Sequence, residues 1–226
     1  MKPKDLPFTI KSFSSREPSF IDNVLTIPPF YTNHQKENLS CLYEKFDSFK
    51  TKHIEICSGN GEWIAERAKN NPLILYIAVE KKFVRVRKIW SKMKNHELNN
   101  LIIVSGMGED FFHFYLENNS INEIFINFPD PWPKKRHAKH RIIKPSFILP
   151  IEEKLILGGK ITITTDSDDY AFEILSVFKE AKGFENIYAK DGYSNLDETY
   201  GGSYFKRLWS DLGRNNKLIS FKRVEN

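Results

Sequence analysis

The sequence predicts an α/β fold, built on a mostly parallel seven-stranded sheet with an antiparallel edge pair and helices on both faces. Three observations carry this. Short apolar runs alternate with longer amphipathic stretches from residue 53 to residue 128, which is the pattern of successive βαβ units. A glycine turn closes the first run. Two late apolar runs are joined by a segment too short for a second full crossover, so they pair antiparallel at a sheet edge.

In order, the predicted elements are the strand HIEIC, a helix to about Asn70, the strand ILYIAV, a helix over 82–96, and the strands LIIVS and EIFINF. A basic loop follows, then a helical stretch near 145–156, with Gly158-Gly159 read as its stop signal. KITITTD is the fifth strand, a helix runs over about 168–181, and FENIYA and LISFKR are the last two strands. Ahead of these, Leu39, Leu42, Tyr43 and Phe46 recur at helical spacing over residues 35–47. Pro3, Pro7, Pro18, Pro28 and Pro29 make residues 1–34 an irregular N-terminal arm, leaving 35–226 as the single domain.

With 226 residues and 40% apolar content the chain can bury one substantial core. Lysine and arginine exceed aspartate and glutamate by 34 to 29, which favours an acidic partner such as nucleic acid. Cys41 and Cys57 are too few for a disulfide framework or a four-ligand zinc site. Neither a signal peptide nor a membrane span is legible, so the expectation is a cytoplasmic protein with no membrane and no metal among its partners.

Ile54-Glu55-Ile56-Cys57-Ser58-Gly59-Asn60-Gly61-Glu62 joins the first strand to its helix, and Gly59 and Gly61 let a ligand approach bare backbone. Glu80 ends the second strand, where a carboxylate can hold two ribose hydroxyls. The dinucleotide fingerprint needs a further glycine at position 64, which is Ile64 here, so a nucleoside cofactor without phosphates fits better than NAD. Glu55 lies within an apolar strand and has two readings: it meets a cationic group of the cofactor, or it points outward or pairs with Lys52. Met107 is positioned to flank an adenine; Glu109 and Asp110 either accept from that adenine or cap the helix anchored by Phe111, Phe112 and Phe114.

Directly after the fourth strand comes Asn127-Phe128-Pro129-Asp130-Pro131-Trp132-Pro133, whose prolines stiffen the loop that carries Asp130 and Trp132. Lys134-Lys135-Arg136-His137-Ala138-Lys139-His140-Arg141 follows, and its five lysines and arginines suit phosphates. Trp132 either stacks on a base or plugs the core; His137 and His140 are phosphate contacts or solvated side chains.

The run FPDPWPKKRHAKHR, with IEICSGNGE and Val79-Glu80 upstream and Thr164-Thr165-Asp166 downstream, resembles the bacterial tRNA (guanine-N7-)-methyltransferases over roughly residues 50–225. The resemblance implies a Rossmann-like class I methyltransferase domain, S-adenosyl-L-methionine as donor, and tRNA as partner, with guanosine 46 of the variable loop as target. It assigns Glu55 and Glu80 to the cofactor, Asp130 to cofactor contact and catalysis, and Lys134 and Asp166 to the substrate, while Gly59, Gly61 and Met107 are placed at the cofactor by the strand-to-helix reading above. The segment SYFKRLWSDLG resembles the family's T-x-F-E-x(6)-G substrate segment, bringing Ser203, Tyr204, Phe205 and Lys206 to the substrate. Ser203 replaces a threonine there, Lys206 replaces a glutamate, and Met107 stands where the family often has an acidic residue.

Asp166 has a second reading as a helix N-cap. The resemblance leaves monomer and homodimer both open. Two other functions compete with this one: methylation of another nitrogen of RNA or protein, and tRNA binding without catalysis. The residues Gly59, Gly61, Glu80 and Asp130 argue against the last.

Overall fold

The computed structural model describes residues 1–6, 17–34, 39–188, 191–196, 200 and 215–225. These form a mixed, mostly parallel α/β protein with antiparallel edges, in two compact units, Met1–Leu116 and Glu117–Asn226.

In the first unit the chain runs β1 (Ser19–Ile21), β2 (Val24–Thr26), α1 (Ser40–Asp47), β3 (Thr51–Ile56), α2 (Glu62–Asn70), β4 (Ile74–Glu80), α3 (Phe83–Asn95), β5 (Leu101–Ser105) and α4 (Gly108–Phe114). Strands β3, β4 and β5 pair in parallel in the order β5-β4-β3. β4 is buried from Leu75 to Glu80 and β5 throughout, the near-continuous apolar burial of a parallel sheet covered on both faces. Asn100 secures the link from α2 into β4: its side-chain amide donates to the carbonyls of Ala68, Asn71 and Ile74 at 2.9, 3.0 and 2.9 Å.

The N-terminal arm departs from the irregular structure its prolines predict. β1 and β2 form a hairpin across Asp22-Asn23, both with positive φ (52° and 60°), the backbone a two-residue hairpin turn requires and that aspartate and asparagine tolerate. β2 then adds in parallel to β5, with Thr26 opposite Ser105. Burial drives this: Val24, Leu25 and Ile27 are 0%, 0% and 3% exposed. The prolines flank the hairpin instead of interrupting it.

The second unit comprises β6 (Ile121–Asn127), α5 (Pro145–Lys154), β7 (Leu155–Thr165), α6 (Asp168–Lys179), β8 (Phe184–Asn186), β9 (Ser194–Asn195) and β10 (Lys217–Arg223). β6 and β7 are parallel; β10 is antiparallel to β7 and to both β8 and β9, so the expected antiparallel edge is present. Stacked rings of Phe178 and Phe221, 3.9 Å apart, fix α6 against β10.

Gly158-Gly159 does not stop α5. The helix ends at Lys154 and β7 begins at once, carrying the glycine pair inside it. The pairing jumps there from Ile121↔Leu155 to Glu123↔Lys160, a bulge in β7. Gly158 has φ +80°, and a Cβ on Gly159 would come within 2.9 Å of the Ile156 carbonyl oxygen.

All seven predicted strands are present among the described residues, joined by β1, β2 and the two-residue β9. The described part of the helix expected over 35–47 is α1, Ser40–Asp47. No described helix is long and apolar enough to cross a membrane.

Candidate active site

In the first unit the site is built on the turn after β3. Ser58 continues the ladder by donating its N–H to the Val79 carbonyl at 3.2 Å, and its hydroxyl donates to the Glu55 carbonyl at 2.8 Å. Gly61 N–H then closes the turn on the Ser58 carbonyl at 2.9 Å. Cys57, Gly59 and Gly61 all have positive φ, at 62°, 58° and 71°. Gly61 is further constrained by packing, since a Cβ there would sit 2.7 Å from Ile89 Cγ1 on α3. The two glycines therefore serve the sharp reversal into α2, as their spacing predicts.

Glu80 completes the turn from the end of β4. Only 4% exposed, it accepts from Gly59 N–H at 3.0 Å through Oε2 and from Lys82 N–H at 2.8 Å through Oε1, with Arg85 Nη1 3.6 Å from Oε2. Each oxygen retains acceptor capacity beyond these bonds, so the carboxylate is fixed in direction while able to receive hydroxyl donors. This fits the ribose of a nucleoside cofactor. Ile64, at the position where a dinucleotide site needs glycine, is 0% exposed and packed as an ordinary core residue.

Glu55 is 2% exposed, so its outward-pointing reading fails. Met107 is 42% exposed at the start of α4, and neither Glu109 nor Asp110 caps that helix; both lie in its first turn. Cys57 is an exposed residue by its surface, yet its thiol sits deep enough among protein atoms to be desolvated. That burial, with Glu80 next in effect, pushes the thiol up to about 12 and keeps it protonated.

In the second unit Asp130 is exposed on the loop after β6. Its Oδ1 accepts from Trp132 N–H at 3.1 Å, a local turn that sets the carboxylate. Three further contacts hold the loop. Phe128 N–H donates to the carbonyl and hydroxyl oxygens of Thr164, at 3.0 and 3.2 Å. Arg141 Nε donates to the Pro131 carbonyl at 2.8 Å, its guanidinium lies 4.9 Å from the Tyr170 ring centroid, and it pairs with Glu173 on α6. Phe128 and Trp132 have positive φ, 48° and 41°, so the loop is strained as well as stiff.

Lys134 is exposed, and its carbonyl accepts from His137 N–H at 2.8 Å as the basic segment turns into a 3-10 turn, Lys135–His140. Trp132 does not plug the core. It is half-buried against His140 and His137, at 5.2 and 5.8 Å between ring centroids. Asp166 follows β7 half-buried, and the capping role belongs to its neighbour: Ser167 Oγ accepts from Tyr170 N–H at 3.3 Å. Ser203, Tyr204, Phe205 and Lys206 lie outside the described residues.

Sequence reasoning missed Asn127, Tyr200 and Arg141 as individual residues. Asn127 Oδ1, buried at the end of β6, accepts from the hydroxyls of Tyr200 at 2.8 Å and Thr164 at 3.3 Å. A polar residue at the end of an otherwise apolar strand was the available signal for Asn127. Tyr200 had none, because its partner is 73 positions away.

Comparison with known proteins shows the family. A family model described as a putative methyltransferase matches residues 50–218. A tRNA (guanine-N(7)-)-methyltransferase of Chlamydia pneumoniae is 41% identical over 95% of this chain and 94% of its own. One from Leptospira interrogans is 35% identical over 80% and 81%. Among solved structures, the 16S rRNA methyltransferase KamB superposes with a TM-score of 0.62 at 15% identity, covering 81% of this chain and 93% of its own. A SAM-dependent methyltransferase from Aquifex aeolicus gives 0.56 at 11% identity, covering 81% and 88%. The likeness in structure shows the class I methyltransferase fold, and by its sequence the chain belongs to the tRNA (guanine-N7-)-methyltransferase family.

Proposed function

We infer that the protein transfers a methyl group from S-adenosyl-L-methionine to N7 of a guanine in tRNA, at guanosine 46 of the variable loop. The observation that carries this reading is the Asp130 loop, set by its own Trp132 amide bond and tethered through Pro131 to Arg141. S-adenosyl-L-methionine, when bound, supplies an electrophilic sulfonium methyl. Glu80 would hold its ribose, Glu55 its cationic end, and the Gly59–Gly61 turn and Met107 its remaining faces.

Guanine N7 carries an in-plane lone pair and no proton, so the reaction needs alignment and electrostatics more than a base. Methyl transfer to N7, with the electron pair of the carbon–sulfur bond left on the donor's sulfur, would place positive charge on the guanine ring. Asp130 orients the reactants and stabilises that charge, with an advantage over water because its direction is set beforehand. Asp166 accepts from guanine N1–H and N2–H, an edge adenine lacks, and Ser203 adds a hydroxyl contact. Lys134 and the basic segment bind phosphate, while Tyr204, Phe205 and Lys206 belong to the same substrate surface. The reading sets the enzyme in the cytoplasm as a monomer or homodimer, without a metal.

Nucleoside analysis of tRNA methylated by the protein tests this. The expected product is 7-methylguanosine, with Asp166→Asn lowering the rate and guanine selectivity together. An unchanged rate and selectivity in Asp166→Asn would remove Asp166 from recognition, and a methylated base other than 7-methylguanosine would remove the proposed acceptor.

A further inference from the structure

Pro28-Pro29-Phe30-Tyr31 forms a tight turn just after β2, with Tyr31 N–H donating to the Pro28 carbonyl at 3.3 Å. Phe30 occupies its third position with φ 63°, the left-handed backbone that favours glycine and disfavours an aromatic side chain. The Phe30 side chain is 91% exposed. The fold thus holds a large apolar ring in a strained conformation where it buries almost nothing.

The turn is fastened on both sides. Ile27, 3% exposed, donates its N–H to the Ser105 carbonyl at 2.9 Å. His34, 9% exposed, bonds the Tyr115 hydroxyl at 2.9 Å through Nδ1 and stacks on Phe114 with ring centroids 3.7 Å apart. Phe30 is displayed at the apex between these anchors.

The sheet register says where the turn sits. Thr26 pairs with Ser105 and Ser105 with Glu80, all on parallel strands, so the turn leaves the same sheet edge as the Glu80 carboxylate. Two strand spacings separate Thr26 from Glu80, about 10 Å. Lys81 and Lys82, both exposed, follow Glu80 on that edge.

An exposed ring with cations on the same edge suits a chain of stacking bases and phosphates. We propose that Phe30 is a base-stacking residue that receives an unstacked nucleobase of the RNA substrate, with Lys81 and Lys82 toward the adjoining phosphates. This rests on the tRNA reading above and adds to it a contact from the N-terminal arm, outside the motifs that identify the family.

Full-length protein with unmodified tRNA transcript tests it, using Phe30→Gly, Phe30→Ala and Phe30→Tyr. Removing a stacking ring is expected to weaken tRNA binding by about 5- to 100-fold in Phe30→Gly and Phe30→Ala. Phe30→Tyr keeps the affinity, and cofactor affinity stays unchanged in all three. Without RNA, Phe30→Gly has a higher thermal midpoint, because glycine accepts the positive φ. Unchanged tRNA affinity in Phe30→Gly overturns the stacking role alone, provided the wild-type protein methylates tRNA. A lower midpoint for Phe30→Gly without RNA overturns it too, since Phe30 would then serve the fold. Wild-type protein that neither binds nor methylates tRNA overturns the tRNA reading and the stacking role with it.

Discussion

The backbone amide of Gly59 donates to Oε2 of Glu80 at 3.0 Å, tying the turn after β3 to the end of β4. The carboxylate therefore supports the turn that, in the proposed function, holds the cofactor. Glu80→Gln keeps the shape but places an amide group where an acceptor is needed. S-adenosyl-L-methionine affinity, measured by calorimetry, should fall about 10- to 100-fold, the equivalent of one lost bond to a charged group at about 1.5–3 kcal/mol. Affinity within twofold of wild type would separate Glu80 from the cofactor.

Cys57 and Gly61 make opposite demands on one turn. Cys57 holds φ 62° with a side chain, so Cys57→Gly should raise stability by about 1 kcal/mol. Gly61→Ala meets both a positive φ and Ile89 at 2.7 Å, and should lower it. Urea unfolding of the two variants reads both signs. A thiol pushed up to about 12 should also alkylate more slowly in the native protein than in urea, which a Cys41→Ser background isolates at about pH 8.5.

Burial, and secondarily the Arg67 charge, lowers His53 from 6.5 to about 4. The unfolded chain therefore binds more protons than the native state between those values, and stability rises with pH across the window. Thermal midpoints should fall as pH drops from about 6.5 toward 4. His53→Gln should flatten that part of the curve, and a slope unaltered by the substitution would assign the acid loss to other groups.

We propose Arg141 as a positioning residue: it ties Pro131, in the strained Asp130 loop, to Tyr170 and Glu173 on α6. Arg141→Lys keeps the charge but cannot reproduce the fork that reaches all three. Its kcat should drop about 10- to 100-fold through misplacement of the loop, with cofactor affinity retained. A phosphate-contact role instead predicts a higher KM for tRNA and an unchanged kcat.

Much of this was legible in the residues because it depends on local pattern. Apolar runs such as LIIVS and ILYIAV are strands buried on both faces, and Gly59-Asn60-Gly61 turns where its spacing says it must. The features that escaped depend on distant partners. The N-terminal hairpin exists because β2 finds β5, about eighty residues later, and local proline content cannot report that pairing. Gly158-Gly159 was misread because a glycine pair after a helix resembles a cap, whereas here it forms a bulge against β6. The same holds at α6, where Ser167 takes the capping role that Asp166 was equally suited to fill.

Methyl transfer from labelled S-adenosyl-L-methionine to two unmodified tRNA transcripts, one carrying guanosine at position 46 and one adenosine, tests the central claim most directly. Label is expected in the guanosine transcript alone, recovered as 7-methylguanosine. Label in both transcripts would contradict the site, and label in neither, with the cofactor bound, would contradict the reaction.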